Sequence, residues 1–186
     1  MVYIAILGFG TVGSGVYEVI TKNKDVIARK AGVDIAIKYV LDSKEFPNHA
    51  VSEVLTHDVN DILEDESIQV VVEVMGGVEV PYQFVKAALE RGKHVATSNK
   101  ALVAAHGPEL LRIAKEKNVN FLFEASVGGG IPILRPMNRC LTADVILEVM
   151  GILNGTTNYI LTEMTEKGLA FEDVLKQEQE LGYAEK

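Results

Sequence analysis

The feature that most constrains this chain is Gly8-Phe9-Gly10-Thr11-Val12-Gly13, which follows directly on the apolar run Val2 to Leu7. The spacing is G-x-G-x-x-G, and its place at the end of an apolar strand and the start of an amphipathic helix is the context that spacing requires. Each glycine has a separate task. Gly8 permits a tight turn, Gly10 lets a phosphate group approach the main chain, and Gly13 lets helix and strand pack closely. The helix then presents unbonded N–H groups and a partial positive charge to an anion. The segment therefore predicts a dinucleotide site built on Gly8, Phe9, Gly10, Thr11, Val12 and Gly13, against the simpler alternative of a structural turn.

The remainder of the chain alternates between two periods. Val12 to about Arg29 carries Val12, Val16, Val19, Ile20 and Ile27 at helical spacing, and Val33 to Leu41 returns to strand character. Asp58 to Glu66 reads as a short acidic helix. Val70-Val71-Val72-Glu73-Val74-Met75, closed by Gly76-Gly77, suits a parallel strand covered on both faces. Pro81 to Arg91 is a helix, His94 to Thr97 a strand, and Ala101 to Lys117 a helix interrupted or restarted near Gly107-Pro108. Asn120 to Ala125 is again a strand. Such alternation predicts an α/β fold with a parallel sheet and helices on both faces.

After Gly128-Gly129-Gly130 the rhythm changes, which places a domain boundary near residue 130. Ile131 to Cys140 reads as helix and Asp144 to Leu153 as a long strand. Thr156 to Lys167 and Phe171 to Leu181 read as helices split by Gly168. The residues beyond 130 are few for an independent core, and the chain reads as the front part of a longer one. With 18 Lys and Arg against 26 Asp and Glu, the net charge is −8 and no basic cluster offsets it. Nucleic acid and anionic membrane are thus poor partners. One cysteine, Cys140, allows no intrachain disulfide and reads as a core or interface thiol. The absence of a basic, apolar leader pattern and of any run near ~18 apolar residues leads to the expectation of a cytoplasmic protein. The four histidines show no metal-ligand spacing.

Other residues stand out by position. Asp42 ends the second strand, where an acidic residue reads a ribose 2′-hydroxyl and disfavours a 2′-phosphate. Nearby Lys44 argues the other way, and both also suit a solvated loop. Lys100 follows a strand and opens a helix, a place unfavourable to a cation on helix-dipole grounds. It would orient a substrate hydroxyl or the nicotinamide region, or simply face solvent. Glu124, predicted to end a buried strand, with the turned main chain of Val127 to Gly130, offers oxygens to a hard or monovalent cation; a hinge explains the glycines equally well. Asn154, Thr156, Thr157 and Asn158 form a polar run that would cap a helix or line a pocket.

Several segments together carry a family resemblance: the glycine loop, VVVEVMGG (Val70 to Gly77), SNKALVA (Ser98 to Ala104), FEASVGGGIPI (Phe123 to Ile133), GILNGTTNYIL (Gly151 to Leu161) and LGYAE (Leu181 to Glu185). In this order they resemble homoserine dehydrogenase over essentially the whole chain. The resemblance implies a Rossmann domain at 1–130, followed at 131–186 by the start of an α+β substrate and dimerisation domain. It implies interconversion of L-homoserine and L-aspartate 4-semialdehyde with NAD or NADP, by a homodimer. Gly76, Asn99, Lys100 and Gly182 would then face the cofactor, with Lys100 also catalytic and Glu185 meeting the substrate ammonium. A sodium-type ion would take Glu124 with main-chain oxygens of Val127, Gly129 and Ile131. The family's Asp and Lys that hold homoserine and move the proton lie past LGYAE. The family often has an Arg before the Asp that ends the second strand, where this chain has Leu41. From the residues alone, Gly182 and Glu185 also read as a helix terminus. A different Rossmann dehydrogenase of an amino-acid-derived substrate, or a dinucleotide-binding module without catalysis, fits them as well.

Overall fold

The computed structural model describes residues 1–151 and 155–181. The chain divides into two compact units, Met1–Asn138 and Arg139–Lys186.

The first unit opens with β1 (Val2–Leu7), α1 (Thr11–Lys22), α2 (Lys24–Ala31) and β2 (Ile35–Leu41). The expected single helix over 12–29 is two. Asn23, at φ −103° and ψ 20°, leaves the helical region and joins them, and α2 stops at Gly32 in the left-handed conformation. A 3₁₀ turn (Ala50–Glu53) and the short β3 (Leu55–Thr56) follow, neither of which has a period long enough to see in sequence. Then come α3 (Asn60–Leu63), β4 (Ile68–Glu73), α4 (Glu79–Glu90), β5 (His94–Thr97), α5 (Lys100–Glu116), β6 (Phe121–Leu122), α6 (Glu124–Val127) and α7 (Leu134–Cys140).

All six strands pair in parallel, in the order β3-β2-β1-β4-β5-β6. Strand alternation supplies two cores. Ala5, Leu7, Leu41 and Val71 join Val85, Leu89, Leu102 and Leu110 of α4 and α5. Their neighbours Ile6, Val40 and Val72 turn the other way, toward Val16 and Tyr17 of α1. Covered on both faces, the sheet accepts the continuous apolar runs seen in β1 and β4.

Three expectations fail here for identifiable reasons. α5 runs unbroken through Gly107-Pro108. Its inner residues Leu102, Leu110 and Ile113 are buried, whereas Ala104 and Pro108 are exposed, so the carbonyl left unbonded by proline meets water. The strand expected at Asn120 to Ala125 shrinks to Phe121–Leu122, because this edge strand pairs only with Val95 and Ala96. Glu124 consequently opens the short helix α6 instead of ending a strand, and it is half-buried.

The second unit contains α8 (Gly155–Lys167) and α9 (Phe171–Glu180), which lie against each other, with Ile160 of α8 and Val174 of α9 buried. The expected strand Asp144 to Leu153 does not form over its described part, Asp144 to Gly151, which lies exposed. A strand needs a ladder for its N–H and C=O groups, and the described residues of this unit hold no other strand. Cys140 is exposed, so it is not a core thiol. No helix among the described residues is long and apolar enough to cross a membrane.

Candidate active site

The chain moves outward from β1 to β2 and β3 on one side, and from β4 to β5 and β6 on the other. In an open parallel sheet the crevice outside the carboxyl ends of the strands where the order reverses is the ligand site. Here that crevice lies above Leu7 of β1 and Glu73 of β4, and the glycine loop forms its edge.

The three glycines do separate work. Gly8 has φ +99°, and a Cβ there would stand 3.1 Å from the Val74 carbonyl oxygen. A Cβ on Gly13 would lie 2.0 Å from the Gly8 carbonyl oxygen, so α1 reaches β1 only through a bare Cα. Gly10 faces open space and caps α1 without any side-chain hydrogen bond. The first-turn amides of α1 thus face an opening that a phosphate group fits. Phe9 contributes its main chain: its ring is buried edge-on against Tyr17, Phe46 and His49. Thr11 and Val12 are exposed at the helix start.

Two cavities flank this loop. One of about 510 Å³ is lined by Gly8, Phe9 and Gly10, by Asp42 and Ser43, by His57, and by Met75 and Gly76. The other, about 450 Å³, is lined by Val12, by Thr97 and Ser98, by Glu124, and by Leu134 and Arg135. Val74 lines both. Together they offer one lobe on each side of the glycine loop, an arrangement suited to the two halves of a dinucleotide.

Asp42 stands at the carboxyl end of β2 as expected, and its carboxylate is already at work. Oδ2 accepts the Phe9 N–H at 2.7 Å and Oδ1 the Lys44 N–H at 2.9 Å. It therefore clamps the glycine loop while presenting negative charge to the first cavity. His57, which sequence reasoning passed over, places Nδ1 2.6 Å from the Asp42 carbonyl oxygen and Nε2 2.8 Å from Glu45 Oε1. Both partners are acceptors, an arrangement that favours the doubly protonated ring. The Asp42 carbonyl first, then the Glu45 carboxylate, raise its pKa. A signal existed: His57 follows β3, and so sits on the same sheet edge as Asp42.

Asn99 caps α5, its Oδ1 accepting the Leu102 N–H at 3.0 Å. Its Nδ2 donates to the Gly77 carbonyl at 2.8 Å. Lys100 is exposed at the first position of α5, two residues past Ser98, which lines the second cavity together with Thr97 at the end of β5. Gly182 and Glu185 lie outside the described residues, as does Asn154.

Glu124 has a task the sequence did not indicate. Its Oε1 accepts the N–H groups of Ile133 and Leu134, and its Oε2 accepts that of Arg135 at 2.8 Å. The carboxylate thus caps α7 from outside the helix. The Ile133 N–H, then those of Arg135 and Leu134, hold its pKa below the ordinary 4.5. Three main-chain N–H groups already meet this carboxylate, and any cation there would share it with them. Val127 and Ile131, whose main-chain oxygens the resemblance enlists, are exposed. The described residues hold no group of three or more His, Cys, Asp or Glu able to bind a metal.

Fold and cleft define a dinucleotide-binding domain of the Rossmann class. Residues 8–124 match the family model of the homoserine dehydrogenase NAD binding domain, and residues 132–186 match that of homoserine dehydrogenase. The homoserine dehydrogenase of Bacillus subtilis is 46% identical over 185 residues, covering 98% of this chain and 43% of that protein. That of Pseudomonas aeruginosa is 44% identical, with 99% and 43% covered. The crystal structure of a homoserine dehydrogenase from Thiobacillus denitrificans superposes with a TM-score of 0.90 at 43% identity, over 99% of this chain and 43% of that one. A hyperthermophilic archaeal homoserine dehydrogenase mutant, solved in complex with NADPH, has a TM-score of 0.81 at 28% identity, over 100% and 62%. The chain belongs to the homoserine dehydrogenase family, and it spans 43% of the length of these two bacterial relatives.

Proposed function

We propose that the protein carrying this chain oxidises L-homoserine to L-aspartate 4-semialdehyde, and reduces it back, with NAD or NADP. The observation that supports this most is the glycine loop at the strand-order reversal, with one cavity on each side of it. A bound nicotinamide cofactor would supply the hydride acceptor. The main chain of Gly8 to Gly13 would hold the pyrophosphate, Asp42 and Gly76 would border the adenosine side, and Asn99 would fix the start of α5. Lys100 would orient the substrate hydroxyl or the nicotinamide region, and the family's Asp and Lys past LGYAE would move the proton. Gly182 and Glu185 enter as the resemblance has them, at the cofactor and at the substrate ammonium.

The Asp42 carboxylate disfavours a 2′-phosphate and Lys44 favours one, so both cofactors belong in the assay. A monovalent cation near Val127, Gly129 and Ile131 would take main-chain oxygens and share Glu124 with the N–H groups of Ile133, Leu134 and Arg135. A homodimer and a cytoplasmic setting complete the proposal. The test is homoserine-dependent reduction of NAD and of NADP by the protein and by Lys100→Ala. Lys100→Ala should keep its fold and lose at least about tenfold in kcat/KM. Dinucleotide binding without homoserine turnover, in a protein extending past LGYAE, would favour a non-catalytic module instead.

A further inference from the structure

Glu73 is a fully buried carboxylate that none of the roles above uses. It is the last residue of β4, with Leu7 and Thr97 as its ladder partners, at the floor of the crevice. Every neighbouring position in Val70 to Met75 other than Glu73 is apolar, and a valine would suit a doubly covered strand at least as well. Burying a carboxylate is unfavourable unless donors meet it, and here they do. The Met75 N–H donates to Oε1 at 2.7 Å and the Thr97 hydroxyl donates to Oε2. Thr97 Oγ1 in turn accepts the Asn99 N–H at 2.9 Å, and Asn99 Nδ2 donates to the Gly77 carbonyl.

These bonds tie down a segment that otherwise has little to hold it. Among the described residues, Met75, Gly76 and Gly77 have no backbone–backbone hydrogen bond partner, and Gly77 has φ +80°. Met75 and Gly76 line the first cavity. The same network reaches Asn99, the cap of the helix that begins with Lys100.

We propose that Glu73 is a positioning residue for the dinucleotide. Through the Met75 N–H, and through Thr97 and Asn99, it holds the Met75–Gly77 turn in the shape that the cofactor meets and sets the start of the helix carrying Lys100. The inference rests on the crevice being the dinucleotide site. Burial pushes the Glu73 carboxyl up, and the Thr97 hydroxyl, the Met75 N–H and the Asn99 side chain oppose that shift.

The experiment compares wild type, Glu73→Gln, Thr97→Val and Thr97→Ser. It reads dinucleotide Kd by fluorescence titration with NADH and NADPH well below the melting temperature, together with amide exchange across residues 75–78 and the KM and kcat for the dinucleotide. Glu73→Gln and Thr97→Val should each weaken binding about tenfold, as the loss of a hydrogen bond to a charged group does. Exchange at Met75 should quicken, and the KM for the dinucleotide should rise more than kcat falls. Thr97→Ser, which keeps the hydroxyl, should restore binding to within about twofold. Folded variants with wild-type Kd and unchanged exchange at Met75 would overturn the proposal. Should Glu73→Gln fail to fold, the Val and Ser pair at Thr97 decides the matter alone. Wild type that binds neither nucleotide would overturn the dinucleotide reading itself, and this inference with it.

Discussion

Gly10 and Gly13 stand three residues apart, yet they answer to different forces. Gly13 is fixed by packing. Gly13→Ala would drive a methyl group into the Gly8 carbonyl, 2.0 Å away, and should destabilise the protein by at least about 3 kcal/mol, read by denaturant unfolding. Gly10 has open space before it and an ordinary φ of −75°. Gly10→Val should therefore leave stability within about 1 kcal/mol of wild type while abolishing dinucleotide binding in a titration. A variant that folds and binds as tightly as wild type would remove Gly10 from the phosphate site. The glycine pattern itself was legible in the sequence, but which glycine serves the fold and which the ligand depends on what lies within reach of each Cα. Asp42 was likewise legible by position. Its clamp on the Phe9 N–H was not, because that bond spans 33 residues.

Helix α7 owes its start to Glu124, a residue of a different helix. The folded pKa of Glu124 is lowered, so the stability it contributes is present above 4.5 and is lost as pH falls through the lower folded value. Thermal unfolding across that acidic range should show wild type losing an increment that Glu124→Gln lacks, and Glu124→Gln should melt lower at neutral pH. The difference should persist in sodium-free buffer. If it disappears without sodium, the carboxylate acts through a cation and the capping account fails. Sequence reasoning placed Glu124 on a strand because Asn120 to Ala125 has strand composition. The strand ends early because the sheet offers only Val95 and Ala96 to pair with. In α5 the reverse occurs: Gly107-Pro108 looks like a break locally, and the buried side of the helix carries it through.

At the scale of the whole molecule, the first unit buries two cores about its sheet, while in the second Val145, Leu147, Val149 and Met150 are largely exposed. Exposed apolar side chains in succession call for cover. We expect self-association through this segment, and Leu147→Asp with Val149→Asp should shift sedimentation velocity toward monomer without altering dinucleotide affinity. A wild-type protein that sediments as a monodisperse monomer at micromolar concentration would contradict the expectation. The strand foreseen for Asp144 to Leu153 belongs to this scale, since alternation alone cannot supply the neighbouring strand that a ladder needs.

By itself the sequence determined what depends on local spacing: the glycine loop, the alternation of strand and helix, the parallel sheet covered on both faces, and the family to which these motifs belong. Those follow from side-chain periodicity and glycine backbone freedom, which act over a few residues. Only the tertiary structure decided the tasks of the buried and half-buried polar groups. Glu73, Glu124 and His57 each sit in sequence among residues that reveal nothing of their partners, which lie 2 to 26 residues away along the chain for Glu73, 9 to 11 for Glu124, and 12 and 15 for His57. A buried or engaged polar side chain is defined by the donors and acceptors that folding brings to it, and those are set by strand order and helix placement.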